Sequence, residues 1–187
     1  MASVRQTAIP GHIAGTWDID ATHSDVSFSV RHLMVSKVRG RFNSVSGRLV
    51  TGADLLDSSV AAEIDVNSFD TGHAQRDEHI RSADFLHVAQ YPTMTYRSTG
   101  VRRDADDIVV DGELTLHGVT RQVSLALEAI GFGPDPYGGT RVGISAITKI
   151  NRKDFGIDTE LPLDGGGVVI GDTVQISLDI QAVLQTA

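Results

Sequence analysis

Trp17 to Val50 reads WDIDATHSDVSFSVRHLMVSKVRGRFNSVSGRLV, and its alternation decides the fold. Val26, Phe28 and Val30 fall on even positions, with Asp25, Ser27, Ser29 and Arg31 between them. A period of two is the mark of a strand with one dry face. His32 and Met34 continue that face. After a short polar break at Ser36 and Lys37, a second run starts at Val38. It sets Phe42 on one side and Lys37, Arg39 and Arg41 on the other. Two strands joined this closely must pair antiparallel.

Working outward, Trp17 and Ile19 make a short first strand, alternating with Asp18 and Asp20. Residues 1 to 14 read as a flexible lead, punctuated by Pro10 and Gly11. Residues 15 to 187 form one domain. Downstream, Val60, Ala62, Ile64 and Val66 alternate with polar or small residues. Met94 and Tyr96 oppose Thr95 and Arg97. Ile108, Val110, Leu114 and Leu116 follow, then Val123, Leu125 and Leu127, then the long run Val142, Ile144, Ala146, Thr148 and Ile150. Val174, Ile176, Leu178 and Ile180 end the series. Val101 to Asp107 reads as a charged turn, Gly131 to Gly139 as a long hairpin loop, and Leu161 to Gly171, with three consecutive glycines, as a mobile loop.

The period changes once. Thr71 to Leu86 holds a segment without β-branched runs, which predicts one short helix ending near Ser82. Asp77 and Arg81 stand four apart, as a helix-surface pair would. Phe85 and Leu86 would pin the helix down, and Tyr91-Pro92 forces extended backbone beyond it.

About eight long strands in meander order, each half dry and half wet, predict an all-β fold: an extended antiparallel β-barrel with one short helical insertion. Closure removes exposed strand edges. A barrel of this size is just wide enough to be filled by side chains or to hold one small ligand. Aromatic residues are only 5% of the chain, and inward positions such as Ala62 and Ala146 are small, which favours a cavity.

Composition narrows the function. The 187 residues carry 16 Lys plus Arg against 24 Asp plus Glu, a formal charge of −8. That field disfavours a general nucleic-acid surface. With no cysteine, disulfides, thiolate metal sites and Cys nucleophiles are excluded. The first residues hold no apolar core of a secretory signal, so the expected compartment is the cytoplasm.

A set of motifs resembles the YceI-like family of lipocalin-like, polyisoprenoid-binding proteins. They are Trp17-Asp18-Ile19-Asp20 with His23-Ser24, Phe28 to Met34, Val38-Arg39-Gly40-Arg41-Phe42 and Ser46-Gly47. Asp70-Thr71-Gly72, Arg76-Asp77 and His79 to Phe85 continue the series. Tyr91-Pro92-Thr93, Arg97-Ser98-Thr99, Leu114 to Arg121 and Asn151 to Gly156 complete it. The resemblance runs from about residue 15 to 184. It implies a lipocalin-like barrel holding a long isoprenoid or acyl-type lipid, with no catalytic constellation and no metal or other cofactor. Many members carry an export signal, and this sequence departs from them there.

The alternation names the expected lining. The first long strands contribute Val26, Phe28, Val30, His32, Met34 and Phe42. Ile64, Met94, Tyr96, Leu114, Leu116 and Leu125 follow. Ile144, Ala146, Ile176 and Leu178 complete the set. Each of these also suits an ordinary core. His32 stands out, because a buried imidazole needs a hydrogen-bond partner and could offer one to a head group. His73, His79 and His87 share no helical face, which argues against a metal site. Lys37, Arg39 and Arg41 form a basic stripe suited to a diphosphate, to an anionic membrane surface, or simply to solvent.

The reading is a non-enzymatic carrier or store for a polyisoprenoid, an isoprenoid quinone or its precursor. Two alternatives stay open: an enzyme acting on such a lipid through His32 or the helix carboxylates, and a packed barrel used for protein contacts. A homodimer is the expected assembly, from the general frequency of two-fold pairs.

Overall fold

The Trp17–Val50 stretch folds as one long hairpin bent at mid-length. A computed structural model describes it as part of residues 9–33, 35–160 and 169–187. Strands β1 (Gly15–Ile19) and β2 (Asp25–His32) run end to end, separated by a single 3-10 turn at Ala21–His23. Strands β3 (Ser36–Phe42) and β4 (Val45–Thr51) return beside them. Val30 faces Val38, Val26 faces Phe42, and Trp17 faces Leu49 across the hairpin.

The remaining strands are β5 (Ser59–Asp65), the short β6 (Phe69–Asp70), β7 (Thr93–Asp104), β8 (Asp107–Leu116), β9 (Val119–Pro134), β10 (Thr140–Asn151) and β11 (Ile170–Leu184). Ladders join β1, β4, β5, β7, β8, β9, β10 and β11 in that order, and β11 pairs back onto β1. The result is a closed antiparallel barrel of eight strands. The bend in the first hairpin carries β2, β3 and β6 past one end, where β2 pairs with the first half of β11.

Two expected loops are shorter than their composition suggests. The charged segment at 101–107 is mostly strand, and only Ala105 and Asp106 turn between β7 and β8. Its charges sit on a wet outer face, where Arg102 pairs with Asp111 at 2.7 Å, so they do not interrupt the ladder. Likewise β9 runs through Gly131 to Pro134, with Gly131 opposite Gly143 and Phe132 opposite Val142, leaving residues 135–139 as the loop. The glycine-rich segment expected as a mobile loop falls largely on residues 161–168, outside the described residues.

Helix α1 (Ala74–Arg81) forms where the period breaks and packs beside β6. Phe85 and Leu86, just beyond it, are buried in the main apolar cluster. The expected Asp77–Arg81 surface pair does not form. Asp77 is buried and accepts the Thr71 N–H at 3.0 Å and the Thr71 hydroxyl, while Arg81 donates to the Phe69 carbonyl. Their side of the helix faces protein, where Thr71 and the Phe69 carbonyl are the partners.

The opposite end is closed by Trp17, which is fully buried with Leu49, Val142 and Ala182. Its indole N–H donates to Thr51 Oγ1 at 2.8 Å, and that hydroxyl donates to the Ile13 carbonyl at 2.7 Å. Residues 9–14 lie against this end, with His12 stacked on Phe132 at 5.3 Å.

An ionic clasp holds the bend between β1 and β2. Arg141 of β10 donates to Asp20 at 2.7 Å and to Asp135 at 2.9 Å. The Arg141 hydrogen bond, followed by that of His23, holds the Asp20 carboxyl at about 2, below its ordinary 3.8. A pKa lowered by folding adds stability that is fully present above the unfolded value and is lost as pH falls through the folded one. Asp20→Asn should therefore cost about 1 kcal/mol at neutral pH, after allowance for solvent screening. In acid titrations monitored by circular dichroism, its deficit against the parent should shrink as pH falls from roughly 4 to 2.

Candidate functional site

Inside the barrel lies a cavity of about 320 Å³, at the low end of the ~300–1,000 Å³ typical of small-molecule sites. Alternation builds it, since every second residue of each strand points inward. β2 supplies Val26, Phe28, Val30 and His32, and β3 supplies Phe42. Ile64, Met94 and Tyr96 come from β5 and β7, and Leu114, Leu116 and Leu125 from β8 and β9. Ile144 and Ala146 of β10 and Ile176 and Leu178 of β11 complete the ring. Met34 lies outside the described residues.

The same alternation reaches further than the expected set. Val38, Val60, Ala62, Ile108, Val110, Val123 and Ile180 also line the cavity; Val38 sits opposite Val30, Ala62 opposite Tyr96, Val110 opposite Leu125 and Ile180 opposite Ile144. Other lining residues had no periodic signal: Phe69 from β6, Ile80 from α1, and Leu86 and Ile157 from irregular segments. Phe28, Phe42 and Phe69 cluster with ring centroids 5.3 to 5.7 Å apart, narrowing the bore toward α1.

Tyr96 sets the calibre at mid-barrel. Its ring lies against Gly112, where an added Cβ would come within 2.5 Å of it. Its hydroxyl donates to the Val123 carbonyl at 2.9 Å and the Val110 carbonyl at 3.2 Å. Burial, with a smaller push from Asp111, raises the phenol's pKa well above its usual value. The group is thus a neutral donor spent on the wall rather than a base.

Arg76 of α1 is one of the few charged side chains that line the cavity. The Arg76 guanidinium gives Nε to Thr71 Oγ1 at 2.8 Å and Nη2 to the Thr71 carbonyl at 3.1 Å. Those bonds use the Nε–Nη2 side of the fork, and Nη1 has no hydrogen-bond partner among the described residues. His32 also lines the cavity, and no described residue hydrogen-bonds its ring. The lining holds no carboxylate among the described residues. This corrects the idea that the helix carboxylates face a lipid: Asp77 is committed to Thr71, and Asp84 is exposed beside His79. Among the described residues no three His, Asp or Glu side chains converge as a metal site would require.

The YceI-like domain model matches residues 17–182. The chain belongs to the YceI-like family. Protein YceI of Escherichia coli is 43% identical over 145 residues, covering 77% of this chain and 76% of its relative. A UPF0312 protein of Vibrio cholerae is 40% identical over 159 residues, 79% of this chain and 84% of its own length. Among solved structures, BcnA of Burkholderia cenocepacia matches with a TM-score of 0.72 at 21% identity, over 87% of this chain and 98% of that one. A polyisoprenoid-binding domain from Saccharophagus degradans matches at 0.64 with 20% identity, over 92% and 100% of the two chains. At these identities both structures bear on the fold.

In this YceI-like barrel a second arginine secures the α1 end. Arg152 follows β10 in a 3-10 turn and is buried beside the cavity. It donates to the carbonyls of Ile157 at 2.7 Å, Thr159 at 2.9 Å and Gly171 at 3.0 Å. One residue thereby ties 157–159 to the start of β11. Its donors are saturated, so its part is structural. Arg152→Met should lower stability by about 3 kcal/mol in urea unfolding, because several buried carbonyls lose a charged donor together.

Proposed function

We propose that the barrel binds and carries a long apolar lipid, a polyisoprenoid or isoprenoid quinone or its precursor, without altering it chemically. The observation that carries this reading is the cavity itself: an almost wholly apolar bore inside a closed barrel, with Trp17 buried at one end and Arg76 and His32 among its lining residues. The Saccharophagus degradans domain, described as polyisoprenoid-binding, supports the choice of chain chemistry.

The energetics are those of burial. Each Å² of apolar surface taken from water gains about 25 cal/mol, so a tail burying on the order of 300 Å² gains about 7 kcal/mol before the costs of association. The free Nη1 of Arg76 and the His32 ring suit an acceptor-bearing head, such as a quinone carbonyl or a diphosphate. Tail burial would supply affinity, and these polar groups would supply orientation.

Organic extraction of the purified protein followed by mass spectrometry should yield an isoprenoid-type lipid at near-equal stoichiometry, with its mass unchanged after prolonged incubation. A clean extract, together with no uptake of a fluorescent polyene, would overturn the reading. Ala146 faces the bore and is 3% exposed. Ala146→Trp should abolish polyene uptake while the circular dichroism spectrum stays that of a folded barrel. Undiminished uptake by that variant would place the lipid elsewhere.

A further inference from the structure

The turn between β2 and β3 does two things that a packed barrel has no use for. First, it exposes apolar side chains: Val35 is 85% exposed and Leu33 is 41% exposed. Leu33 adopts a φ of +53°, a left-handed conformation unusual for a bulky residue. Its N–H is tied to the Val169 carbonyl at 2.8 Å, which fixes the backbone at this point.

Second, the outer face behind that tip carries like charges side by side. Arg31 stands directly opposite Lys37, and Arg39 lies opposite Ser29. Ser29 faces Gln175 on β11, and Gln175 faces Lys149 on β10. All four cations are exposed, and none takes part in an ion pair among the described residues. Like charges directly opposed across a ladder destabilise it. The chain as a whole is acidic, at −8, so this is a local reversal of sign.

The tip also adjoins the cavity lining. His32 and Ile170, paired across β2 and β11, both line the bore, and Leu33 follows His32 directly.

We propose that the β2–β3 tip docks on an anionic lipid bilayer. Leu33 and Val35 enter the interfacial layer while Arg31, Lys37, Arg39 and Lys149 meet the lipid phosphates. The pairing of a small apolar tip with a spread of cations fits a fluid, negatively charged surface. A protein partner fits less well, because charged residues are depleted at the core of protein interfaces. Docked this way, the His32 side of the cavity stands next to the membrane. The inference is independent of what the cavity holds, and it is read by vesicle binding alone.

The test is flotation of the whole chain with vesicles of phosphatidylcholine, and of phosphatidylcholine containing phosphatidylglycerol. Binding to the anionic vesicles at low salt, weakened by added salt and at least about tenfold weaker on neutral ones, is expected. Each cation contributes about fivefold to partitioning, so Lys37→Gln with Arg39→Gln should reduce binding about twenty-five-fold. Leu33→Ser with Val35→Ser should weaken it while the salt dependence persists. These positions are exposed, so the variants should keep the parent's circular dichroism spectrum. Relief of the Arg31–Lys37 repulsion should keep the melting temperature of Lys37→Gln at or above the parent's.

No binding of the parent to anionic vesicles at low salt would overturn the proposal, as would equal binding to both vesicle types or binding unchanged in both double variants. Indifference to vesicles combined with self-association that Val35→Ser abolishes would overturn it in favour of a second copy of this chain.

Discussion

The return of β11 onto β1 is the bond on which everything else rests. Trp17 to Ile19 pair with Ala182 to Leu184, joining the first strand to the last. Without that ladder the sheet would be an open, curled layer with two edges, and its dry face would have to find another cover. With it, the inward half of every strand shares one enclosed space, and the outward half is free to be polar. The Asp20–Arg141 clasp sits beside this seam and holds the bend in place while β1 serves the seam and β2 runs on past it.

The interior is emptied by small decisions rather than by one large one. Ala62 and Ala146 leave room, and Gly112 lets the Tyr96 ring lie flat against the wall instead of across the bore. The aromatic cluster of Phe28, Phe42 and Phe69 then closes part of that space toward α1. Arg152 spends its donors on main-chain carbonyls and Asp172, whereas Arg76 spends only one side of its fork. Two arginines of the same cavity lining thus have opposite availability.

The barrel was legible because its signal is local and repeated. Val26–Phe28–Val30 and Ile144–Ala146–Thr148 announce their inward faces through side-chain period alone. The wall positions followed from the same rule, and Val38 and Val110 could have been read from it as well. What stayed hidden depends on contacts distant in sequence. Arg152 looks like a turn residue until the carbonyls of 157–159 and 170–171 converge on it. Asp77 looks like half of a helix pair until Thr71 presents its N–H. The strand ends at Asp104 and Pro134 were obscured by residues that usually mark turns, because cross-strand pairing outweighed local propensity.

The buried plug at the far end also gives the molecule a built-in optical reporter. Trp17 is the one tryptophan in the chain and is fully buried. Its indole hydrogen-bonds to Thr51, and its ring lies 5.5 Å from that of Phe132. Its emission is therefore governed by the seam and its neighbours, with no second indole to blur the signal. A red shift in fluorescence marks water reaching the place where the first and last strands meet, and so registers opening of the barrel itself.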